Sequence, residues 1–443
     1  MFDFNPLCPL DGRYASLVHE LRPFFTEEAL IAARVHIEVK YLEFLIVEQI
    51  DPKQLPLSLL NPLRTSGLDR LTQDEIARVK KIELQIKHDV KAVEYYLCEK
   101  ITALNLSIPV QFVHFGLTSE DVTNLAYGHL IHQAIRKVSV EELRAVINTL
   151  LIFAINPDAK APLLGMTHGQ PATPTTLLEQ ISVYQERLNQ YLQTTYTISL
   201  DGKFGGAVGN LSAHKAAYPE INWPTFGAKF VKSLGLNPLK CTTQINPHDD
   251  IARLSHLMQQ INVVLLDLCV DMWLYISRGV LCEKATSGEV GSSTMPNKVN
   301  PIDWENAEGN LGLSNALFGH FADKLPRSRL QRDLSDSTVQ RSLGLAFGYQ
   351  LVAFKSIQKG LAKLEINKEA CLTELAAHPE VHAEAIQTIM RRFGYADAYE
   401  QLKNLTRGQQ ITFQVLHNFV ANLDKIPDET KQRLYKIISS TYS

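Results

Sequence analysis

The stretch from Asp249 to Leu281, DDIARLSHLMQQINVVLLDLCVDMWLYISRGVL, carries apolar residues near positions i, i+3 and i+4 along its length. This spacing is typical of a helix with a buried face. The part from Leu254 onward is the most apolar long segment of the chain, but Asp267, Asp271 and Arg278 interrupt it. Because a membrane-spanning helix hardly tolerates three charges, we interpret the stretch as a buried helix of a helical bundle.

The same periodicity recurs in other long segments, and no alternating strand pattern competes with it. These segments are Glu27 to Gln49, Gln73 to Ile101, Thr123 to Ile155, Pro174 to Leu200 and Asn306 to Phe321. Several of them run beyond twenty residues, which is longer than a typical globular helix. The sequence therefore predicts an all-α fold built around a central bundle of long packed helices.

Proline-rich breaks and changes in helix length divide the chain into three predicted helical regions. An N-terminal helical domain is expected over residues 1–107, a central long-helix bundle over 108–363 and a C-terminal helical domain over 364–443. The last region is predicted to contain shorter helices, among them Glu380 to Phe393 and Thr412 to Leu423.

The composition is that of an ordinary globular protein. Of its 443 residues, 45% are hydrophobic and 21% are charged, and the formal net charge is −3. Such a chain can bury a sizeable core, and it has no basic field that would attract nucleic acid or an anionic membrane. Any anionic ligand must be bound by local clusters of residues, so we expect a small-molecule ligand, with no nucleic acid and no membrane as partner.

The cysteines and the N-terminus both indicate a reducing compartment. The six cysteines are scattered and form no CxxC pair, which predicts reduced thiols with neither disulfides nor a zinc site. The first residues, MFDFNPLCPLDGRYAS, lack the basic and apolar regions of a signal peptide. We therefore expect a cytoplasmic protein.

The segment KATSGEVGSSTMPNKVNP, from Lys284 to Pro301, is dense in small residues. Its glycines and serines suit a mobile loop that approaches a ligand, although most loops of this composition are plain connectors. Asn300 is predicted to be an N-cap, with Pro301 at the first helical position. The free N–H groups of that helix end would then lie beside Lys298 and form a site for an anion.

Histidines occur in two polar motifs that have both a structural and a functional interpretation. THGQPATP places His168 in a turn ahead of a long helix, and KHDV places His88 and Asp89 within a helical pattern. A lone histidine at such a position is usually a capping or packed residue. Histidine is nevertheless the side chain best able to transfer a proton near neutral pH, so His168 is a candidate acid or base.

Other polar motifs carry hydroxyls, amides and arginines. HFGLTSED presents Thr118 and Ser119 just before a helix, where they can cap either the helix or an anion. KLPRSRLQRD and DSTVQR concentrate arginines, whose planar guanidinium binds phosphate and carboxylate bidentately, although basic runs are usually solvated surfaces. DGRYAS and TTQINPHD are two further polar motifs. Without other information, the arginine of DGRYAS would be interpreted as a surface residue.

Taken in chain order, these motifs resemble the sequence patterns of one family. GSSTMPNKVNP resembles, over eleven consecutive positions, the signature loop of the fumarase/aspartase superfamily, whose members release fumarate by cleaving C–N or C–O bonds. THGQPATP, HDV, TSED, DGRY, TTQINPHD and the arginine-rich block resemble the corresponding segments of the bacterial adenylosuccinate lyase family. The resemblance runs from Arg13 to Arg341 and more weakly through Ala385 to Arg392, so it covers nearly the whole chain.

The resemblance implies a lyase of purine biosynthesis that works by general acid/base β-elimination. Its substrates would be adenylosuccinate, cleaved to AMP and fumarate, and succinyl-aminoimidazole carboxamide ribotide, cleaved to aminoimidazole carboxamide ribotide and fumarate. Such a reaction needs a base for a C–H beside a carboxylate, an acid for the departing nitrogen, and cations for the charge that builds up. The resemblance makes Ser292 the base and His168 the acid. Lys298, the helix end at Asn300 and loop closure would stabilise the serine alkoxide.

The resemblance also assigns substrate-binding positions. Met295, Lys298 and Asn300 are expected on the fumarate half of the substrate. The phosphate half is expected to contact Arg13, Tyr14, Arg332, Ser337 and Arg341. Further substrate contacts are expected from His88, Asp89, Thr118, Ser119 and Gln244. Members of the family need no cofactor or metal and are homotetramers whose active sites draw loops from three subunits, so we expect no cofactor, no metal and a homotetramer with shared active sites.

Three positions depart from the family pattern. Asn297 stands where histidine is frequent, Lys87 where a small polar residue is usual, and Ala385 where proline is common. The first two affect the fine tuning of the loop and of a substrate contact, not the class of protein.

Two alternative functions remain open. A sibling lyase would act on argininosuccinate, aspartate or malate, but the arginine-rich block and the THGQP motif argue against it. A non-enzymatic protein on the same scaffold is disfavoured because Ser292, His168 and Lys298 are all present.

Other chemistries find little support in the sequence. The glycine-rich run Gly205 to Gly209 lacks the following lysine of a P-loop. His129 and His132 lack the HExxH pattern or flanking carboxylate of a metal site.

Overall fold

The computed structural model describes residues 6–284, 299–407 and 411–439, except for the side chain of Thr406. Helices dominate this part of the chain and strands are short, so the predicted all-α fold is confirmed. In chain order the helices are α1 (Arg22–Phe25), α2 (Glu27–Val47), α3 (Leu60–Thr65), α4 (Gln73–Ile86), α5 (Asp89–Ala103), α6 (Ser119–Ala134), α7 (Val140–Ala154), α8 (Leu177–Thr197), α9 (Ser212–Ala217), α10 (Trp223–Ser233), α11 (Asp249–Ser277), α12 (Ile302–Lys324), α13 (Ser335–Gln340), α14 (Leu343–Lys363), α15 (Lys368–Ala376), α16 (Ala383–Arg392), α17 (Ala398–Thr406), α18 (Phe413–Ala421) and α19 (Asp428–Ser439).

The strands form three two-stranded sheets. They are an antiparallel hairpin of β1 (Pro162–Thr167) with β2 (Gln170–Thr176), a parallel pair of β3 (Asp201–Gly202) with β4 (Asn237–Pro238), and an antiparallel pair of β5 (Leu281–Glu283) with β6 (Leu364–Ile366). Short 3₁₀ helices lie at Ala15–Leu17, His19–Leu21, Leu57–Leu59, Val110–Phe112, Pro157–Lys160 and Pro379–His382.

The chain forms two compact units. Unit 1 comprises Met1–Arg144, Gln190–Leu266 and Ala307–Lys355, and unit 2 comprises Ala145–Asn189, Asp267–Asn306 and Ser356–Ser443. Helices α7, α8, α11, α12 and α14 each contribute residues to both units. The division into regions 1–107, 108–363 and 364–443 stays a prediction.

The core of unit 1 is built on α2, which packs against α5 and α6. Thr26 caps α2 by accepting a hydrogen bond from the backbone N–H of Ala29 at 3.2 Å. Tyr41 of α2 is fully buried, and its ring lies 5.5 Å from the ring of Phe230 and 5.9 Å from that of Phe204. This aromatic cluster fixes α2 against α10 and against the chain that follows β3.

Unit 2 contains the β1–β2 hairpin and the C-terminal helices. Gly165 lies where the hairpin register shifts, and a Cβ there would stand 2.3 Å from the carbonyl oxygen of Thr173, so the close approach of the two strands requires glycine. Helices α16 to α19 enclose a separate apolar cluster that includes Met390, Leu416 and Leu434.

The predicted helix from Gln73 to Ile101 is wrong in one respect, because the structure divides it into α4 and α5. Lys87 adopts a left-handed backbone with φ 58° and ends α4. His88 then has extended backbone, and its Nδ1 accepts a hydrogen bond from the N–H of Lys91 at 3.1 Å. His88 is therefore the N-cap of α5, and the prediction that it lies within a helix is wrong.

Two other helices differ from the prediction, one because it is divided and one because it begins later. The segment Thr123 to Ile155 is divided by a π-helical turn, Ile135–Ser139, between α6 and α7. The helix predicted to begin at Pro174 begins at Leu177, because the residues before it form β2.

The start of α12 also differs from the prediction. The helix begins at Ile302, and the carbonyl of Pro301 accepts hydrogen bonds from the N–H groups of Trp304 at 3.1 Å and Glu305 at 3.3 Å. The N-cap position is therefore Pro301, and Asn300 precedes it.

Helix α11 contains the stretch on which the bundle prediction rests. Among the helices of the described part of the chain, it alone is long and apolar enough to cross a membrane. Of its most apolar 18-residue window, 44% is buried within the protein. The core helix of a soluble protein has the same properties. Within unit 2, Asp267 accepts a hydrogen bond from Arg187 at 3.0 Å and Asp271 accepts one from the Tyr184 hydroxyl at 2.5 Å, so the two aspartates that interrupt the apolar stretch both have partners.

Candidate functional site

Arg332 lies at the centre of the largest group of predicted site residues. Its Nη1 donates a hydrogen bond to Oε1 of Gln244 at 3.0 Å, and its Nη2 donates to the hydroxyl of Ser337 at 3.4 Å. Its Nη2 also forms an ion pair with Oε1 of Glu120 at 3.1 Å. Two further candidates, Gln244 from a distant stretch of the sequence and the nearby Ser337, therefore contact the guanidinium of Arg332, an arrangement that suits a phosphate or carboxylate.

Glu120 is buried beside Arg332 and was not predicted as a site residue. Burial raises the pKa of its carboxyl, Asp336 raises it further, and Arg332 opposes both. Its second oxygen, Oε2, has no hydrogen-bond partner among the described residues. The carboxyl thus orients Arg332 without being exposed to solvent.

The amino end of α6 brings Thr118 and Ser119 into the same unit as Arg332. The N–H of Thr118 donates to Oδ2 of Asp121 at 2.9 Å, which fixes the first turn of the helix. Ser119 is half-buried, and its hydroxyl has no hydrogen-bond partner within the described part of the chain. It is therefore available to a ligand at this helix end.

A second group joins Asp89 and Arg341. Oδ2 of Asp89 lies 3.0 Å from Nη2 of Arg341 and 2.9 Å from Nη1 of Arg34. Burial of Asp89 would raise its pKa, but Arg34, the N–H of Val90 and Arg341 outweigh this and hold the pKa below its usual value. One carboxylate between two guanidiniums leaves a net positive charge.

The remaining phosphate-half candidates lie near the N-terminus of unit 1. Arg13 is exposed, and within the described part of the chain it makes no hydrogen bond to another candidate. Tyr14 is half-buried, and its N–H donates to the carbonyl of Pro9 at 2.9 Å.

His168 lies in unit 2, at the turn of the β1–β2 hairpin. The structure confirms the predicted turn, with left-handed backbone at His168 (φ 53°) and Gly169 (φ 70°), and the side chain of His168 is exposed. A cleft of about 740 Å³ beside the hairpin is lined by residues that include Thr167, Gly169 and Arg278. Two guanidinium nitrogens of Arg278 donate to the carboxylate of Glu374 at 2.9 and 2.6 Å, so this arginine is already paired.

Several predicted residues fall on a part of the chain that the structure does not cover. Ser292, Met295 and Lys298 lie outside the described residues, as does Asn297. Asn300 is described, belongs to unit 2 and is half-buried. Among the described residues, no group of three or more His, Cys, Asp and Glu side chains is arranged to hold a metal ion.

Sequence reasoning missed four residues that hold the candidates in place: Arg34, Glu120, Asp121 and Lys203. A weak signal existed for Arg34, which is an arginine within the apolar pattern of α2 and is 4% exposed. Glu120 and Asp121 follow directly after the predicted Thr118 and Ser119. Nothing in the sequence pairs Lys203 with Asp121.

Comparison with known proteins decides the family. A family model described as Lyase matches residues 63–315, and one described as Adenylosuccinate lyase C-terminal matches residues 328–443. The adenylosuccinate lyase of Legionella pneumophila (strain Corby) is 48% identical over 443 residues, covering 99% of this chain and 96% of that protein. The chain belongs to the adenylosuccinate lyase family. The Escherichia coli (strain K12) family member is 43% identical over 441 residues, covering 98% of this chain and 96% of that protein.

The family lies within the fumarase/aspartase superfamily, and solved structures agree with that placement. The fumarate lyase of Mesorhizobium sp. BNC1 matches with a TM-score of 0.74 and 16% identity, covering 96% of this chain and 97% of that one. At this identity the likeness shows the fold, which is the predicted fumarase/aspartase-like fold.

Proposed function

We propose that this lyase cleaves adenylosuccinate to AMP and fumarate in purine biosynthesis, and cleaves succinyl-aminoimidazole carboxamide ribotide to its amide product and fumarate. The observation that carries the proposal is the 48% identity, over 99% of the chain, to an adenylosuccinate lyase. The group formed by Arg332, Gln244 and Ser337 supports it, because such a group suits the phosphate of a nucleotide.

The reaction is a β-elimination that needs no net redox change. A base removes the proton from the carbon next to a carboxylate of the succinyl group, and the electron pair forms the C=C bond of fumarate. The C–N bond breaks, and an acid protonates the nitrogen that leaves with the purine. By resemblance Ser292 is the base and His168 the acid. The exposed position of His168 on a tight turn supports this role, since a ligand can reach the imidazole there.

The two halves of the substrate require different partners. Arg332, Ser337 and Arg341, with Arg13 and Tyr14, would bind the phosphate. Met295, Lys298 and Asn300 would bind the fumarate half, and His88, Asp89, Thr118, Ser119 and Gln244 would make further contacts. The free hydroxyl of Ser119 and the net positive charge of the Asp89 group support the proposed contacts with anionic parts of the substrate.

We also propose a cytoplasmic homotetramer that shares residues between active sites. Helices α11 and α12 carry exposed apolar side chains, among them Val263, Val270, Leu274 and Leu313. An assembly that covers them would remove this apolar surface from water. Light scattering of the purified protein should then give the mass of four 49.8 kDa chains.

One experiment tests the proposed activity against its alternatives. The purified protein is incubated separately with adenylosuccinate, argininosuccinate, aspartate and malate, and fumarate is measured. Fumarate from adenylosuccinate is expected. Fumarate from one of the other three compounds instead would identify a sibling lyase, and no fumarate from any of them would indicate a non-enzymatic protein.

A further inference from the structure

Asp121 and Lys203 form an ion pair inside unit 1. Nζ of Lys203 lies 2.7 Å from Oδ1 of Asp121, and their side chains are 0% and 1% exposed. The cost of removing two charges from water often equals or exceeds their mutual attraction, so a buried ion pair is weak evidence of a contribution to stability. The backbone groups bound to the pair indicate another role.

The pair binds the backbone of two separate segments. The carboxylate of Asp121 accepts hydrogen bonds from Gly205 N–H at 2.8 Å and from Gly206 N–H at 3.0 Å. It also accepts the N–H of Thr118 at 2.9 Å, while Nζ of Lys203 donates to the carbonyl of Gly206 at 2.9 Å. The amino end of α6 and the glycine-rich segment 205–209 are thereby tied to one charge pair.

The glycine-rich segment in turn supports Gln244 and, through it, Arg332. The carbonyl of Ala207 accepts a hydrogen bond from Nε2 of Gln244 at 2.9 Å, and Oε1 of Gln244 accepts one from Arg332 at 3.0 Å. A Cβ on Gly209 would lie 1.9 Å from the carbonyl oxygen of Thr242, so the segment is pressed against the residues that lead to Gln244. A displacement of segment 205–209 therefore displaces Gln244.

We propose that Asp121 and Lys203 are positioning residues that hold the amino end of α6 and the Gln244–Arg332 pair at a fixed separation. The proposal rests on the proposed function, because it assumes that Ser119 and Arg332 contact one substrate. Neither member of the pair touches the ligand, since both are buried. Their effect is on the geometry of binding, and a misplacement of about 1 Å can cost as much as a hundredfold in rate.

The test uses three variants of the full-length protein: Lys203→Met, Asp121→Asn and the double variant. We expect the KM for adenylosuccinate and the Kd for AMP, measured by titration calorimetry, to rise about tenfold or more, with kcat falling by a smaller factor than KM rises. The double variant removes both charges, so it should recover thermal stability relative to Lys203→Met while keeping the raised Kd.

Lys100→Met is the matched control. Lys100 also pairs with a carboxylate, that of Glu75 at 2.9 Å, and also donates to a backbone carbonyl, that of Arg70 at 2.8 Å. It belongs to the same unit and contacts none of the candidate site residues that the structure describes, so its loss should lower stability and leave KM and the Kd for AMP unchanged.

Three results would overturn the proposal. The first is a Kd for AMP in Lys203→Met no higher than in Lys100→Met. The second is a double variant that binds AMP like the wild type. The third is a double variant that does not fold, because the pair would then be required for folding and not only for positioning the site residues. The proposed function fails separately, if the wild-type protein releases no fumarate from adenylosuccinate.

Discussion

Gln244 accepts a hydrogen bond from Nη1 of Arg332 at 3.0 Å, although the two residues lie on segments far apart in the sequence. Its other end is fixed by the carbonyl of Ala207. Gln244 accepts a hydrogen bond from Nη1 of Arg332 and Glu120 accepts one from Nη2. Held at these two nitrogens, Arg332 presents its guanidinium in one orientation. This preorganisation reduces the entropy lost when an anion binds.

Replacing Gln244 should weaken substrate binding. In Gln244→Leu the guanidinium of Arg332 loses one of its acceptors, and hydrogen bonds to charged groups contribute about 1.5–3 kcal/mol, so KM for adenylosuccinate should rise about 10- to 100-fold. Initial rates over a range of substrate concentrations measure this. Gln111→Leu, at an exposed glutamine whose amide contacts Gln54, is the control and should leave KM unchanged. Equal KM values in the two variants would contradict the role of Gln244.

Replacing Asp89 should affect both stability and binding. Asp89→Asn leaves the buried guanidinium of Arg34 without its counter-charge, which should lower the free energy of unfolding by about 2–3 kcal/mol, measured by urea denaturation. KM should also rise, because Arg341 loses its anchor. The exposed pair of Asp323 and Arg327 provides the control: Asp323→Asn should cost less than about 1 kcal/mol. The same small loss in both variants would show that the Asp89 bridge does not stabilise the protein.

The protein should lose stability in acid partly through Glu75. Burial would raise the pKa of Glu75, but Lys100 and the N–H of Thr72 lower it from 4.5 to about 2. A carboxyl whose pKa is lower in the folded state stabilises the protein above the unfolded pKa. This contribution is therefore present above pH 4.5 and is lost as the pH falls towards 2.

The measurement is the free energy of unfolding between pH 6 and pH 2.5, roughly the range in which carboxyl groups titrate. Below pH 4.5, the free energy of unfolding of Glu75→Gln should fall less steeply with falling pH than that of the wild type. If the free energies of unfolding of the two proteins fell in parallel with pH, Glu75 would have the same pKa in the folded and the unfolded state.

The two proposed proton-transfer residues should be essential for turnover. His168→Ala and Ser292→Ala should each lower kcat about 10²- to 10⁴-fold, as loss of a general acid or base does. His168→Asn is a further variant that suits the left-handed backbone of the turn, so it removes the imidazole with little strain. Ser293→Ala, at the next residue, is the control for Ser292. Near-normal turnover in His168→Ala or His168→Asn would exclude His168 from proton transfer, and near-normal turnover in Ser292→Ala would exclude Ser292.

The long helices could be predicted from sequence because their apolar spacing persists over many turns. Helices α2 and α11 begin at the predicted residues Glu27 and Asp249. The break at Lys87 could not be predicted, since lysine is not a usual left-handed residue and the apolar pattern continues across it. The β1–β2 hairpin was missed because its strands contain prolines, glycine and exposed residues instead of an alternating apolar pattern.

The candidate site was predicted through motifs, and its supporting residues were not. Resemblance selected Gln244 from one motif and Arg332 and Ser337 from another, and the structure brings the three residues together. Lys203 and Arg34 take part only through partners distant in sequence, and a single sequence contains no information about such pairs. Ser292 and Lys298 lie outside the described residues, so their roles stay predictions.

The central claim is that this chain converts adenylosuccinate to AMP and fumarate. The most direct measurement is to incubate the purified wild-type protein with adenylosuccinate and quantify both products by chromatography over time. The account predicts that AMP and fumarate appear in equal amounts as adenylosuccinate disappears, without added metal or cofactor. Adenylosuccinate that remains intact, or fumarate that forms without AMP, would contradict it.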